Sequence, residues 1–177
     1  MKRLYLPLIL FIFVILEGLA IDLLPKEIVL SEYLIIAHWV LAFLVYIAIY
    51  YDTESTYYSV VYAFIFGLLI DIVYTGILGV YMFSYGIVIY IVRGLQKLLQ
   101  RNLFVLLLLS IGTFIMADLL IYIMYYVVGI TEMMWKDYLV NRLIPTIFAN
   151  LLFILILFPI FKKSIVRWSR EQLTKGN

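Results

Sequence analysis

Cysteine is absent from the 177-residue sequence, and histidine occurs once. Without cysteine, disulfide bonds, thiolate metal sites and cysteine nucleophiles are excluded. A single histidine also excludes a zinc site built from several imidazoles. The sequence shows no nucleophile–base pair, phosphate-binding glycine loop or cluster of metal ligands. We therefore expect no catalytic residue, no metal and no other cofactor.

Charged residues are also scarce, at 14% of the chain, whereas 67% of the residues are hydrophobic. Soluble domains are about half apolar and about one quarter charged. The composition therefore excludes a globule with a hydrated surface and predicts an integral membrane protein. The length suits one membrane-embedded bundle, and a net charge of +2 gives no reason to expect a nucleic-acid partner.

Six apolar runs approach or exceed the roughly 20 residues that a helix needs to cross a bilayer. Short polar segments separate them, and Thr53 or Ser55 is expected to cap the third helix. The predicted fold is an all-α membrane protein: a bundle of six transmembrane helices in residues 1–161, with a basic cytoplasmic tail at 162–177. The predicted spans are 4–23, 33–51, 56–74, 77–92, 103–129 and 139–161.

Lysine and arginine are unevenly distributed between the predicted connections. Cytoplasmic loops carry an excess of these residues. With the N-terminus inside, the cytoplasmic side receives most of the thirteen: Lys2, Arg3, Arg93, Lys97, Arg101, Lys162, Lys163, Arg167, Arg170 and Lys175. The outer side receives Lys26, Lys136 and Arg142. We therefore expect both termini in the cytoplasm, although the inner turn at Asp52–Glu54 lacks a basic residue.

Ionisable residues within the spans are the candidates for function, because a charge at the bilayer centre costs at least about 2.5 kcal/mol. They define a candidate buried polar cluster of Glu17, Asp22, Asp71, Asp118 and Arg142. The predicted topology brings Asp71 and Arg142 to similar depths in the outer half. An ion pair between them would fasten two helices, with Glu17 or Asp22 as other partners for Arg142. A ligand or proton site, or contact with lipid headgroups, would use the same residues.

Asp118 lies near the middle of the fifth span, with no basic residue at its predicted depth. It is expected to be protonated, to bond a neighbour such as Asn150, or to face a wet cavity. His38 stands beside Trp39 at the outer end of the second span. We expect it to contact headgroups rather than a ligand.

Small residues and proline mark the predicted helix contacts and bends. Ala63 and Gly67 are four residues apart, which favours close approach of a second helix. Gly76 forms the turn between the third and fourth spans. Pro145 is expected to bend the sixth span, because proline donates no backbone hydrogen bond.

Two segments resemble the MreD family of bacterial rod shape-determining membrane proteins. The first is YAFIFGLLID at 62–71, followed by LGVYMF at 78–83; the second is NRLIPT at 141–146, together with Asn150. The basic start, the acid late in the first span and the length also match, so the resemblance extends over essentially the whole chain. Its signature residues are Gly67, Asp71, Gly76, Leu78, Gly79, Arg142, Pro145 and Asn150.

The resemblance implies a non-enzymatic scaffold in the bacterial cytoplasmic membrane. Members of this family are thought to associate with MreC, whose transmembrane helix would pack on small residues of the third and fourth spans. They belong to the elongation complex with MreB, RodZ, RodA and the elongation transpeptidase, which directs lateral peptidoglycan synthesis and maintains rod shape. The basic linker and tail would face the cytoplasm and its anionic lipids.

The resemblance also implies a fold similar to the S-components of energy-coupling-factor transporters. This supports a second hypothesis, a small-molecule-binding transporter subunit with an outward pocket near Asp71 and Arg142. Such a subunit is expected to carry small residues on its first span, whereas residues 4–16 are mostly large and apolar. A third hypothesis, an intramembrane enzyme or proton channel, rests on Asp118 and Glu17 alone.

Overall fold

The computed structural model describes residues 4–20 and 33–174, with side chains up to Glu171. Described residues outside the helices form connections and one extended segment. We number the six helices of these described residues in chain order: α1 (Tyr5–Gly18); α2 (Trp39–Tyr46, continued by π-helix Ile47–Tyr51); α3 (Tyr58–Ile70, continued by π-helix Asp71–Thr75); α4 (Val80–Gln96); α5 (Leu103–Val127); and α6, a continuous helix made of Trp135–Asp137, π-helix Tyr138–Leu143 and Ile144–Thr174.

The all-helical fold class is confirmed across these residues. Three described helices are long and apolar enough to cross a membrane: Tyr58–Thr75, Leu103–Val127 and Trp135–Glu171. Three shorter apolar helices accompany them: Tyr5–Gly18, Trp39–Tyr51 and Val80–Gln96. The arrangement as six spans with both termini inside, like the S-component-like fold, stays a prediction.

Several helix boundaries differ from the predicted spans. Residues 33–38 are not helical, so α2 begins at Trp39. We call them the extended segment because alternate residues, Leu34, Ile36 and His38, donate their N–H groups to α6, as in an extended chain. Helix α4 begins at Val80, because Gly79 has a left-handed φ of 104° and ends the preceding turn. Helix α6 continues through Thr174, so most of the predicted tail is helical. Asp22 lies outside the described residues.

Helix α2 is the centre of the bundle. All residues from Val40 to Tyr51 are buried, and helices α1, α3, α4, α5 and α6 all contact it. Its sequence is apolar on every side, as expected for a helix surrounded by other helices. Helix α2 therefore contributes the longest continuous run of buried residues to the hydrophobic core of the described residues.

The other helices bury one face and expose apolar side chains on the other. Helices α3 and α4 form the most extensive contact in the bundle, and α5 packs on α4. Leu8 of α1, Tyr90 of α4 and Phe148 of α6 are among many large apolar residues on the outside. An apolar exterior of this extent suits a protein surrounded by lipid.

Pro145 lies in α6 where the π-helical turn gives way to α-helix. A π-helical turn shifts the hydrogen-bond register, which accommodates a residue that cannot donate. Arg142 is the second-last residue of this π-helical turn. The structure thus shows a local change of helix type beside Pro145, and the bend expected there stays a prediction.

Candidate functional site

Arg142 and Asp118 form an ion pair within the bundle. The Arg142 Nη2 and Nε atoms lie 3.0 and 3.3 Å from Asp118 Oδ1. The Asp118 side chain is fully buried and that of Arg142 is nearly so. Arg142 therefore pairs with Asp118, and the expected pair with Asp71 is wrong. The expectation that Asp118 has no basic partner is wrong for the same reason.

The depth of Asp118 explains this difference. Helices α5 and α6 are consecutive, so depth is best counted from the connection between them. At 1.5 Å per residue, Asp118 lies about 14 Å from the α5 end at Val127. Arg142 lies about 10 Å from the start of α6 at Trp135. The long arginine side chain closes the remaining gap.

His38 and Tyr85 extend the ion pair toward α2 and α4. The Nδ1 atom of His38 lies 2.8 Å from the Tyr85 hydroxyl, and its Nε2 atom lies 3.5 Å from Asp118 Oδ1. Both side chains are fully buried. In the neutral tautomer protonated at Nε2, Tyr85 donates to Nδ1 while Nε2–H faces the carboxylate. The predicted headgroup contact of His38 is therefore wrong.

We call His38, Tyr85, Asp118 and Arg142 the buried polar network. His38 comes from the non-helical segment just before α2, and the other members come from α4, α5 and α6, so the network links that segment to three helices. Among the described residues, three buried polar atoms at this centre lack a hydrogen bond of standard geometry: His38 Nε2, Asp118 Oδ2 and Tyr138 Oη. Of these, His38 Nε2 still lies 3.5 Å from Asp118 Oδ1. A buried polar group left fully unpaired costs about 1–3 kcal/mol. The network is thus a polar and only partly satisfied centre in an apolar bundle.

Asp71 binds backbone N–H groups at the start of α4. Its Oδ2 accepts from Gly79 and Met82 at 2.9 and 3.1 Å, and its Oδ1 accepts from Tyr81 at 2.8 Å. The first N–H groups of a helix have no partner within the helix and carry partial positive charge. The fully buried carboxylate of Asp71 is therefore a helix cap.

Gly67 allows this cap to form by bringing α3 and α4 into backbone contact. A Cβ atom on Gly67 would lie 2.8 Å from Met82 Cα and from the Tyr81 carbonyl oxygen. Gly76 and Gly79 have positive φ values of 66° and 104° in the connection. Leu78 lies between them and is 68% exposed. Three signature glycines thus shape the α3–α4 hairpin around Asp71.

Asp52 performs a similar role at the other end of α3. Its carboxylate accepts from the Tyr58 and Ser59 N–H groups at 3.0 and 3.1 Å, and from the Ser59 hydroxyl at 2.5 Å. The expected cap, Thr53 or Ser55, is therefore wrong. Burial raises the pKa of Asp52, while these donors and the nearby Arg93 guanidinium oppose that rise.

Basic residues cover the acidic turn from the neighbouring connection. Arg93 is almost completely buried and donates to the carbonyl groups of Thr53 and Thr56. Its Nε atom also lies 3.8 Å from Asp52 Oδ2. Arg101 donates to the Asp52 carbonyl at 3.1 Å. The turn itself contains no basic residue, but the fold places the positive charges of Arg93 and Arg101 beside it.

Glu17 completes a series of acidic caps. Its Oε1 accepts from the Val40 N–H at 2.8 Å, in the first turn of α2. Glu17, Asp52 and Asp71 each lie at or near the end of one helix and bind the first turn of the next helix that the structure describes. A buried helix N-terminus needs such partners because its leading N–H groups would otherwise be unsatisfied. The three acids are thus explained by helix capping.

Thr146 and Asn150 of α6 hold the extended segment 33–38. The Thr146 hydroxyl accepts from Ile36 N–H at 3.1 Å. Asn150 accepts from His38 N–H at 2.7 Å and donates to the Ile36 carbonyl at 2.8 Å. The two side chains thereby replace a neighbouring strand. They explain how non-helical backbone is accommodated against an apolar helix.

Sequence reasoning missed His38, Tyr85, Arg93 and Thr146 as members of polar contacts. Tyr85 and Thr146 are common residues in apolar helices and give no signal by themselves. Arg93 follows an apolar run and was assigned to the basic linker. Asp52 gave a usable signal, since an acid six or seven residues before the first turn of a helix is within reach of its N–H groups.

Long apolar helices, an apolar exterior and internally capped or paired charges are together the features of an integral membrane protein. The family model described as rod shape-determining protein MreD matches residues 2–166, and the chain belongs to the MreD family. The rod shape-determining protein MreD of Bacillus subtilis (strain 168) is 28% identical to it over 181 residues, covering 97% of this chain and 100% of that protein. No solved structure matches the chain. The resemblance drawn from residues 62–83 and 141–150 is confirmed.

Proposed function

We propose that this chain is a non-enzymatic scaffold of the cell-elongation complex in the bacterial cytoplasmic membrane. It binds MreC, helps couple the cytoskeleton to lateral peptidoglycan synthesis and so maintains rod shape. Membership of the MreD family supports the cell-shape role. The observation that best supports a scaffold is the use of Glu17 and Asp71 as backbone caps and of Asp118 as an ion-pair partner.

The α3–α4 hairpin is a poor surface for the transmembrane helix of a partner. Ala63 is fully buried, and the backbone of α4 occupies the space beside Gly67. The small residues expected to receive MreC are therefore used within the chain. We propose that MreC contacts another part of the outer surface of the bundle. The hairpin stabilises the arrangement of the helices that form this surface.

A transporter subunit is the second candidate, and the site expected for it offers little binding capacity. The Asp71 carboxylate already accepts three N–H groups, and Arg142 already pairs with Asp118. An apolar groove beside Trp39 and Asn150 has a volume of about 230 Å³. Pockets for drug-sized ligands occupy roughly 300–1,000 Å³. Two larger cavities, of about 600 and 630 Å³, lie instead beside Arg93 and beside Lys162, away from the outward site expected for a transporter subunit. The features of that outward site favour the scaffold.

Depletion of the chain in its rod-shaped host tests the cell-shape role. Depleted cells are expected to become round and to lose lateral wall insertion, measured by microscopy with a fluorescent wall label. The tagged chain, purified in mild detergent, is expected to retain MreC. Native mass spectrometry of the same sample separates the two candidates, since a retained small molecule in place of MreC would support the transporter subunit. Normal rods after clean deletion would contradict the proposal.

A further inference from the structure

The extended segment at residues 33–38 uses alternate backbone groups to bind α6. Leu34 N–H donates to the Asn141 carbonyl at 2.8 Å, and the Leu34 carbonyl accepts from Thr146. Ile36 and His38 bind Thr146 and Asn150. In an extended chain, successive backbone groups point to opposite edges. One edge of the segment is therefore occupied by α6.

Ile35 and Ala37 carry the peptide groups of the opposite edge. Their N–H and C=O groups have no hydrogen-bond partner within the described residues. Both residues are only partly buried. An unpaired peptide group costs about 1–3 kcal/mol in a protein interior, and lipid chains cannot satisfy it. Among the residues that the structure describes, the edge thus offers two donors and two acceptors.

An apolar groove adjoins this open edge. Ile35, Ala37 and Trp39 line it together with Ala149, Leu152 and Phe153 of α6. The Trp39 and Phe153 rings stack with centroids 4.9 Å apart and form an apolar wall of the groove. The residues whose peptide groups are unpaired within the described part of the chain therefore also present a place for an apolar side chain.

We propose that this open edge, Ile35–Ala37, binds an extended peptide segment of a membrane partner. The partner's backbone pairs with the N–H and C=O groups of Ile35 and Ala37, and an apolar side chain of the same segment enters the groove. Lipid hydrocarbon chains supply neither donors nor acceptors, and a helix has already used its own backbone groups. An extended backbone supplies both donors and acceptors, at a two-residue repeat of about 6.8 Å.

The identity of the partner rests on the proposed function. If the chain binds MreC, the segment that fits is the one next to the transmembrane helix of MreC at the outer membrane surface. The predicted topology places residues 33–38 on that side. The transmembrane helix itself would then lie along the apolar exterior of the bundle.

Disulfide cross-linking in membranes tests the proposal, because the natural chain contains no cysteine. Ile35→Cys and Ala37→Cys are each co-expressed with full-length MreC carrying one cysteine, moved residue by residue through its outer juxtamembrane segment. Strong cross-links are expected at every second MreC residue, since alternate residues of an extended segment share a face. Leu78→Cys is the control, because Leu78 is 68% exposed at the α3–α4 turn, away from the open edge.

The outcomes separate this proposal from the function on which it rests. Retention of MreC with cross-links at every third or fourth residue would mean that a helix occupies the site and would overturn the proposal. Retention with cross-links no stronger than those of Leu78→Cys would also overturn it. Failure of MreC to co-purify with the natural chain would instead reject the proposed function. Each cysteine variant is compared at equal membrane levels, so misfolded protein does not enter the comparison.

Amide exchange provides a second measurement that needs no substitution. With MreC bound, the N–H groups of Ile35 and Ala37 are expected to exchange about tenfold or more slowly than in the chain alone, as expected for hydrogen bonds of about 1.4 kcal/mol or more. Ile36 and His38 already donate to α6 and are expected to change little. Equal slowing at all four residues, or none, would contradict pairing along one edge.

Discussion

Two buried carboxylates, Asp71 and Asp118, are satisfied in different ways. Asp71 accepts three backbone N–H groups, whereas Asp118 accepts from the Arg142 guanidinium. The first stabilises the start of one helix, and the second joins two helices. Substitutions at these residues are therefore expected to have different consequences.

Neutralising Asp71 is expected to weaken the cap of α4. In Asp71→Asn a single carbonyl oxygen replaces the charged acceptor of three bonds. The free energy of unfolding should fall by about 1–2 kcal/mol, as for other lost helix caps. Thermal or denaturant unfolding of the purified chain measures it. Asp137→Asn is the matched control, because Asp137 is exposed and the expected change is within about 0.5 kcal/mol.

Removing one member of the ion pair should cost more. Arg142→Gln leaves Asp118 buried without its cation, and a loss of about 3–5 kcal/mol is expected. Combining it with Asp118→Asn should recover about 1–3 kcal/mol relative to the sum of the single losses. Arg142→Gln and Asp71→Asn should instead be additive within about 0.5 kcal/mol. If Arg142→Gln were instead non-additive with Asp71→Asn and additive with Asp118→Asn, Arg142 would pair with Asp71, and the ion pair with Asp118 would be contradicted.

The residues that sequence reasoning placed correctly are those fixed by neighbours close in the chain. Asp71 and Gly79 are eight residues apart, so an acid before a glycine turn could be recognised as part of a hairpin. His38 was misplaced because residues 33–38 are extended. Five steps of an extended chain advance about 17 Å, whereas five helical steps advance about 8 Å. His38 therefore lies deep in the bundle, beyond the interfacial position predicted for it.

Among the helices, the α3–α4 hairpin depends most clearly on backbone proximity. Gly67 has no room for a side chain, whereas a Cβ on Gly112 of α5 would meet nothing within 4 Å. Both residues lie within helices, so they share the propensity gain that alanine brings. The pair therefore isolates the effect of helix–helix contact.

Gly67→Ala is expected to destabilise the chain because α3 and α4 must separate to admit the methyl group. A loss of roughly 1–3 kcal/mol is typical of overpacking. Gly112→Ala should be neutral or should stabilise the chain by up to about 1 kcal/mol. Unfolding of the two variants under identical detergent conditions measures the difference. Equal stability of the two would show that the close approach of α3 and α4 is not required.

The extended segment is the element that the sequence could not reveal. Residues 33–38 read as the apolar start of a span, and their conformation is set by Thr146 and Asn150, more than a hundred residues away. Likewise, the sequence alone assigns Arg93 to a polar linker, whereas the fold brings Asp52 and Thr56 beside it. Long-range polar contacts of this kind leave no local periodicity.

For the molecule as a whole, the charge distribution predicts which ends of the helices face the cytoplasm. Leu98→Cys lies in the connection after α4 and is 83% exposed. Glu132→Cys lies in the exposed connection between α5 and α6. In intact cells with a permeable outer envelope, a membrane-impermeant maleimide should label Glu132→Cys, and Leu98→Cys only after the inner membrane is opened. The reverse pattern would contradict cytoplasmic termini.

The central claim is that the chain maintains cell shape as a scaffold, with its buried charges serving structure. The most direct test is complementation of depleted cells by the double variant Asp118→Asn, Arg142→Gln, which removes both charges together and leaves no unpaired ion. At wild-type membrane levels the account predicts rod-shaped cells and normal recovery of MreC. Round cells despite normal levels and normal MreC recovery would show that the buried charges perform chemistry, and would contradict the scaffold.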